Sequence, residues 1–123
     1  YIEWYATSYT WAKQSWVPDA IATNTTTGTG ITSSVTTVTN NCWTVWVFKI
    51  GSAQVITAWT WLTIRSGGQA SWLCLWDSNS PKTPAWSVSM TANGSSSWGW
   101  WSIMASFAPS VTTNQASFLM NFF

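Results

Sequence analysis

The chain has 123 residues, the length of one domain, and a chain of that size buries roughly two thirds of its surface on folding. Charged residues make up 6% of it, four Lys and Arg stand against three Asp and Glu, and His is absent. This composition excludes the basic field that nucleic acid or anionic lipid requires, and with it the Ser-His-Asp and Cys-His arrangements.

Ser and Thr together account for 37 residues and interrupt every apolar run well short of the roughly 18 residues a membrane helix needs, so no transmembrane helix is expected. β-Branched and aromatic residues dominate, and no apolar 3.6-residue period persists over a dozen positions, which predicts an all-β chain. In chain order the predicted strands run Ile2 to Trp11, Ile31 to Val38, Cys42 to Ile50, Ala58 to Arg65, Ala70 to Trp76, Ala85 to Thr91 and Trp100 to Phe107, with an eighth from Ala116 to Phe123. Between them lie SWVPDA, TTTGTG, NN, SGGQ, DSNSPKTP and ANGSSS, all rich in turn-forming residues. The paired Gly of SGGQ predicts a hairpin.

Alternation in the strand from Ala85 predicts Trp86, Val88 and Met90 inward, with Ser87 and Ser89 outward. The last long strand puts Ile103, Ala105 and Phe107 on one face and Ser102, Met104 and Ser106 on the other. Cys42 to Phe48 is apolar on both faces, which predicts a central strand covered on both sides. Strands of this length and spacing predict one antiparallel β-sandwich over residues 1–115, followed by an apolar strand or tail over 116–123. Because the chain begins at Tyr1 without Met, it is expected to be a piece of a longer polypeptide, with the sandwich incomplete at its N-terminal end.

Glu3, Asp19 and Asp77 are the only side-chain carboxylates. A glycosidase would need two of them facing each other across a cleft, and nothing in the sequence brings a pair together. Asp19 and Asp77 sit where an Asp oxygen commonly caps a turn. Asp77 with Ser78 and Asn79 is a weak calcium candidate, lacking a second nearby acid. No cofactor is expected. Cys42 and Cys74 lie in two predicted strands and could form a disulfide across the core; the preferred reading is two buried free thiols. Trp98, Trp100 and Trp101 follow a Gly/Ser turn and are the candidate stacking platform for a glycan. Trp100 and Trp101 point to opposite faces of a regular strand, so at most one of them can share a platform with Trp98.

The segments SYTWAKQSWVPDA, SVTTVTNNCWTV, TIRSGG, DSNSPKTPAWSVSMT and WWSIMASFAP, in that order and covering about Ser8 to Pro109, resemble the C-terminal part of β-sandwich modules in secreted proteins of uncultivated, candidate-phylum bacteria and in phage structural proteins. The resemblance implies a jelly-roll-like sandwich and an exported structural or binding role. It also implies Gly where this chain has Trp11, Trp16, Trp59, Trp61, Trp72 and Trp86. Two readings stand: UGA codons for Gly translated as Trp, or thirteen genuine tryptophans.

The function expected from all this is a non-catalytic extracellular module, on a cell or virion surface, with structural or surface-interaction roles. The alternative is a carbohydrate-binding module. Its expected partners are a second copy or a neighbouring domain, reached through an unpaired edge strand and the apolar tail, or a glycan.

Overall fold

The computed structural model describes residue 9 and residues 12–13, 18–58, 62–66 and 71–110. The predicted strand at 2–11, apart from Tyr9, and the tail at 116–123 lie outside these residues, as do Trp4, Trp11, Trp16, Trp59 and Trp61. The described chain is all-β: β1 (Ala20–Thr36), β2 (Trp43–Gln54), β3 (Ile56–Ala58), β4 (Thr63–Ser66), β5 (Ser71–Asp77) and β6 (Ser87–Phe107). They form one antiparallel sheet in the order β1-β6-β2-β5-β4, with β3 also on β6.

Two predicted turns are absent. TTTGTG lies inside β1, and ANGSSS lies inside β6, which merges two predicted strands into one of 21 residues. These segments face each other in the ladder, where the register shifts between Gly28, opposite Trp98, and Gly30, opposite Asn93. The strand on the other side of β6 breaks at the same level, since β2 pairs with Trp100–Phe107 and β3 with Ala92–Gly94.

The shared break folds the sheet in half. A straight strand would hold Asn24 and Thr32 about 27 Å apart, yet Asn24 Nδ2 donates to the Thr32 carbonyl oxygen at 2.7 Å. The buried hydroxyls of Ser33 and Ser102, one from each half, lie 2.6 Å apart. The result is a sandwich-like fold whose two layers are halves of one hydrogen-bonded sheet. The first layer is the distal half of β1 with β3 and the start of β6. The second is the proximal half of β1 with the rest of β6, β2, β5 and β4.

One continuous core fills the space between the layers. Ile31, Val35, Ile56, Val88, Met90 and Ala92 enter it from the first layer. From the second come Trp46 and Phe48, with ring centres 4.5 Å apart, and Trp76, edge-on to both. Trp46 stands opposite Trp76 on β5 and Met104 on β6, so cross-strand pairing aligns this face. β2 is central as predicted, but it is not covered on both sides: Val47 and Lys49 are exposed on its outer face. The strands flanking SGGQ pair antiparallel, but Ser66 stands opposite Leu75, so eight residues separate the innermost pair where the two Gly predicted a tight turn.

Asp19 closes the folded strand at its open end. Seventeen residues of straight β1 would span about 56 Å. Instead the carboxylate just before the strand accepts hydrogen bonds from residues just after it: Val38 N at 2.7 Å, Thr39 N at 3.3 Å and Thr39 Oγ1 at 2.7 Å. Ser106 Oγ at the end of β6 donates to the same carboxylate at 3.2 Å. Burial pushes the Asp19 carboxyl up, but the Val38 N–H, the Thr39 hydroxyl, the Cys42 thiol and the Thr39 N–H outweigh it and hold it below the usual value of 3.8.

The bend and its closure are separately testable. A Cβ on Gly30 would meet the Ala92 carbonyl oxygen at 2.6 Å, a collision with backbone that no rotamer relieves. Gly30→Ala is therefore expected to lower stability by about 1–3 kcal/mol in urea unfolding, while Thr29→Ala beside it changes stability by less than about 0.5 kcal/mol. A carboxyl whose pKa is depressed in the folded state contributes stability that is present above its unfolded pKa and is lost as pH falls through the folded value. Because these bonds are open to solvent and Asn keeps one acceptor oxygen, Asp19→Asn should cost on the order of 1 kcal/mol at neutral pH, and should flatten the wild-type loss of stability below about pH 4.

Candidate functional site

The three clustered tryptophans of β6 separate by strand parity and by the bend. Trp100 points into the core, is 0% exposed, and its Nε1 donates to the Gly28 carbonyl oxygen at 2.8 Å. This overturns its expected place among stacking residues: a large indole at the fold line is needed to fill the space between layers. Trp101 points outward and is 50% exposed, and Trp98, at the register break, is 45% exposed.

Trp101 stands on a surface shaped for it. A Cβ on Gly99 would lie 2.8 Å from Trp101 Cη2, 3.3 Å from Cζ2 and 3.4 Å from Cζ3. The six-membered ring of the indole therefore leans along the strand over the one residue with no side chain to lift it. Around it on the outer face of the second layer stand Ile103, Ile21 and Val47, all exposed, with Thr25 and Lys49 directly opposite Trp101 on the neighbouring strands. The face is apolar at its centre and polar at its edge.

Asp77, the calcium candidate, is committed elsewhere. It is fully buried, and Arg65 Nε donates to Oδ2 at 2.5 Å while Nη2 donates to Oδ1 at 3.3 Å. The Tyr9 hydroxyl adds a bond to Oδ2 and Asn79 N one to Oδ1, both at 2.9 Å. Four donors and a guanidinium charge leave no open oxygen for a cation, and Asn79 contributes its backbone rather than its amide oxygen. The Arg65 guanidinium is held above its usual pKa by this bond. No local pattern announces the pairing: Arg65 and Tyr9 lie 12 and 68 positions away. Among the described residues no group of three or more His, Cys, Asp or Glu could hold a metal.

Cys42 and Cys74 are both buried, and no disulfide joins them. Cys74 stands opposite Phe48, six positions along β2 from Cys42, about 20 Å in a strand. A disulfide needs Cα atoms within about 7 Å. The Cys42 thiol lies 3.0 Å from the Thr39 carbonyl oxygen and 3.4 Å from Asp19 Oδ2. Burial, then the neighbouring Asp19 carboxylate, pushes it up to about 11, so it stays protonated and is a poor nucleophile.

Sequence reasoning missed a second feature, an open groove of about 340 Å³ lined by Lys82, Thr83, Pro84, Trp86 and Ser87 to Ser89. Trp86 was expected to face inward with Val88 and Met90. Those two are buried, but Trp86 is 70% exposed, because β6 begins only at Ser87 and alternation does not reach back to it. Of the six tryptophans for which the resemblance implies Gly, the two described here, Trp72 and Trp86, are both exposed.

Compared with protein-family models, curated proteins and solved structures, the chain matches none.

The free-thiol state gives a direct check. Ellman's reagent is expected to find no reactive thiol in the native protein and two per chain in guanidinium chloride; none after denaturation would mean that a disulfide is present.

Proposed function

We propose that the chain is a non-catalytic extracellular module of a structural or surface-interaction kind, acting on a cell or virion surface. The observation that carries this is the outer face of the second layer, where Ile21, Val47, Trp101 and Ile103 remain exposed together. Contiguous apolar surface of this kind marks an interaction site. The two described carboxylates support the absence of acid-base chemistry, since Asp19 is spent on holding the ends of β1 and Asp77 on Arg65 and Tyr9. The resemblance to exported sandwich modules supports the compartment.

A second reading, carbohydrate binding on the same face, is favoured by one specific observation: the Trp101 indole leaning over Gly99, an arrangement that leaves an aromatic surface for the apolar side of a sugar ring.

Sedimentation over a concentration series tests the first reading. Wild type should self-associate, and Ile21→Ser with Ile103→Ser should be monomeric at every concentration while unfolding at an unchanged temperature. A wild type that is monomeric throughout, but whose binding on a glycan array is lost in Trp101→Ala, would replace the first reading with the second.

A further inference from the structure

The groove at Trp86 lies at the start of β6, where the first layer begins, and hydrogen bonds hold its walls in place. Thr37, itself 3% exposed, fixes the main chain of Trp86 from both sides: Thr37 Oγ1 accepts from Trp86 N at 2.9 Å, and Thr37 N donates to the Trp86 carbonyl oxygen at 3.0 Å. The preceding loop is pinned to the turn at Asn40 and Asn41. Ala85 N donates to Asn40 Oδ1 at 2.7 Å, Asn41 N to Thr83 Oγ1 at 3.1 Å, Thr83 Oγ1 bonds Asn41 Oδ1, and Lys82 N donates to the Cys42 carbonyl oxygen at 2.7 Å. An indole 70% exposed thus projects from a main chain with almost no freedom.

The groove opens onto a ladder of hydroxyls. Ser87, Ser89 and Thr91 of β6 stand opposite Thr36, Ser34 and Thr32 of β1. Two of these rungs are joined, Ser34 to Ser89 at 2.7 Å and Thr32 to Thr91 at 2.8 Å. Each joined pair shares one proton between two oxygens and keeps a second proton and further lone pairs for the solvent side. No side chain on these rungs is charged. From Ser87 to Thr91 the ladder extends about 13 Å.

We propose that this groove and ladder form a binding site for a neutral, β-linked polysaccharide. One pyranose ring stacks on Trp86, and the Thr83, Ser87 and Ser89 hydroxyls meet its hydroxyl groups. Following rings lie along the ladder, where both partners offer neutral groups that donate and accept. The extended form of a β-linked chain suits a straight strand face, whereas a coiling α-linked chain leaves it after one ring. Because the loop and β6 are already bonded in place, little ordering of the protein opposes binding. The site takes residue 86 as Trp, as it stands in this chain, and it does not depend on the second-layer face at Trp101.

Affinity electrophoresis in gels containing hydroxyethylcellulose, glucomannan, soluble starch or alginate tests the proposal. The expected result is retardation by the first two and not by the α-linked or anionic polymer. Trp86→Ala and Trp86→Gly should weaken binding about tenfold or more, Trp86→Phe by less than about threefold, and Trp101→Ala not at all, all four unfolding at wild-type temperature. The proposal is overturned if neither β-linked polymer retards the protein, if Trp86→Ala leaves retardation unchanged, or if Trp101→Ala abolishes it. The last outcome would move sugar binding to the second layer.

Discussion

Everything in this molecule hangs on folding the β1 and β6 pair in half and holding it folded. A long two-stranded ribbon has no interior. Bent at Gly28 to Gly30, it becomes two layers whose inward residues cover one another. The bend is local and steric, because Gly30 has no room for a side chain beside Ala92. The closure is electrostatic and distant in sequence, one carboxylate at the start of β1 gathering donors from just past the far end of that strand and from the end of β6. Neither suffices alone, since the bend sets only a direction and Asp19 can only hold ends already brought near.

This arrangement explains how so uncharged a chain uses its acids. Each described carboxylate gathers several donors at a point where segments far apart in sequence meet: Asp19 at the mouth of the fold, Asp77 where β5, β4 and the segment at Tyr9 converge. Hydrogen bonds to a charged acceptor are among the stronger ones available, so two acids do what a larger number of surface ion pairs would not. The surface is left to hydroxyls and a few aromatic and aliphatic groups, and both candidate binding faces are made of these.

The fold class was legible because β-branched residues and short alternating runs leave no other choice. The strand count was not. Bending a sheet without breaking its ladder calls for Gly, Asn and Ser, as a turn does, so TTTGTG and ANGSSS correctly marked a change of direction and misleadingly suggested an end of pairing. At the candidate site, parity separated Trp100 from Trp101, but Met104 and Ile103 are both apolar and could not say which face was interior. Trp86 was misplaced for a related reason: alternation is informative only within a strand, and the strand begins one residue later. The Asp77 partners were invisible because their proximity is a product of topology.

The pairing of β1 has a consequence for the order of events in biosynthesis. Among the described residues its ladder partner is β6 alone: Thr36 pairs with Ser87 and Ala20 with Ser106, every rung joining residues more than fifty positions apart. During synthesis β1 emerges before the other described strands and waits, an uncharged strand without Pro, until nearly all of the described chain has followed. Loop-closure entropy must be met before any of its contacts reward it, which makes this a slowly folding topology. In that interval the backbone of β1 is open to strands of other chains. The segment that defines the finished fold is therefore also the one most exposed to misassembly while the fold is being made.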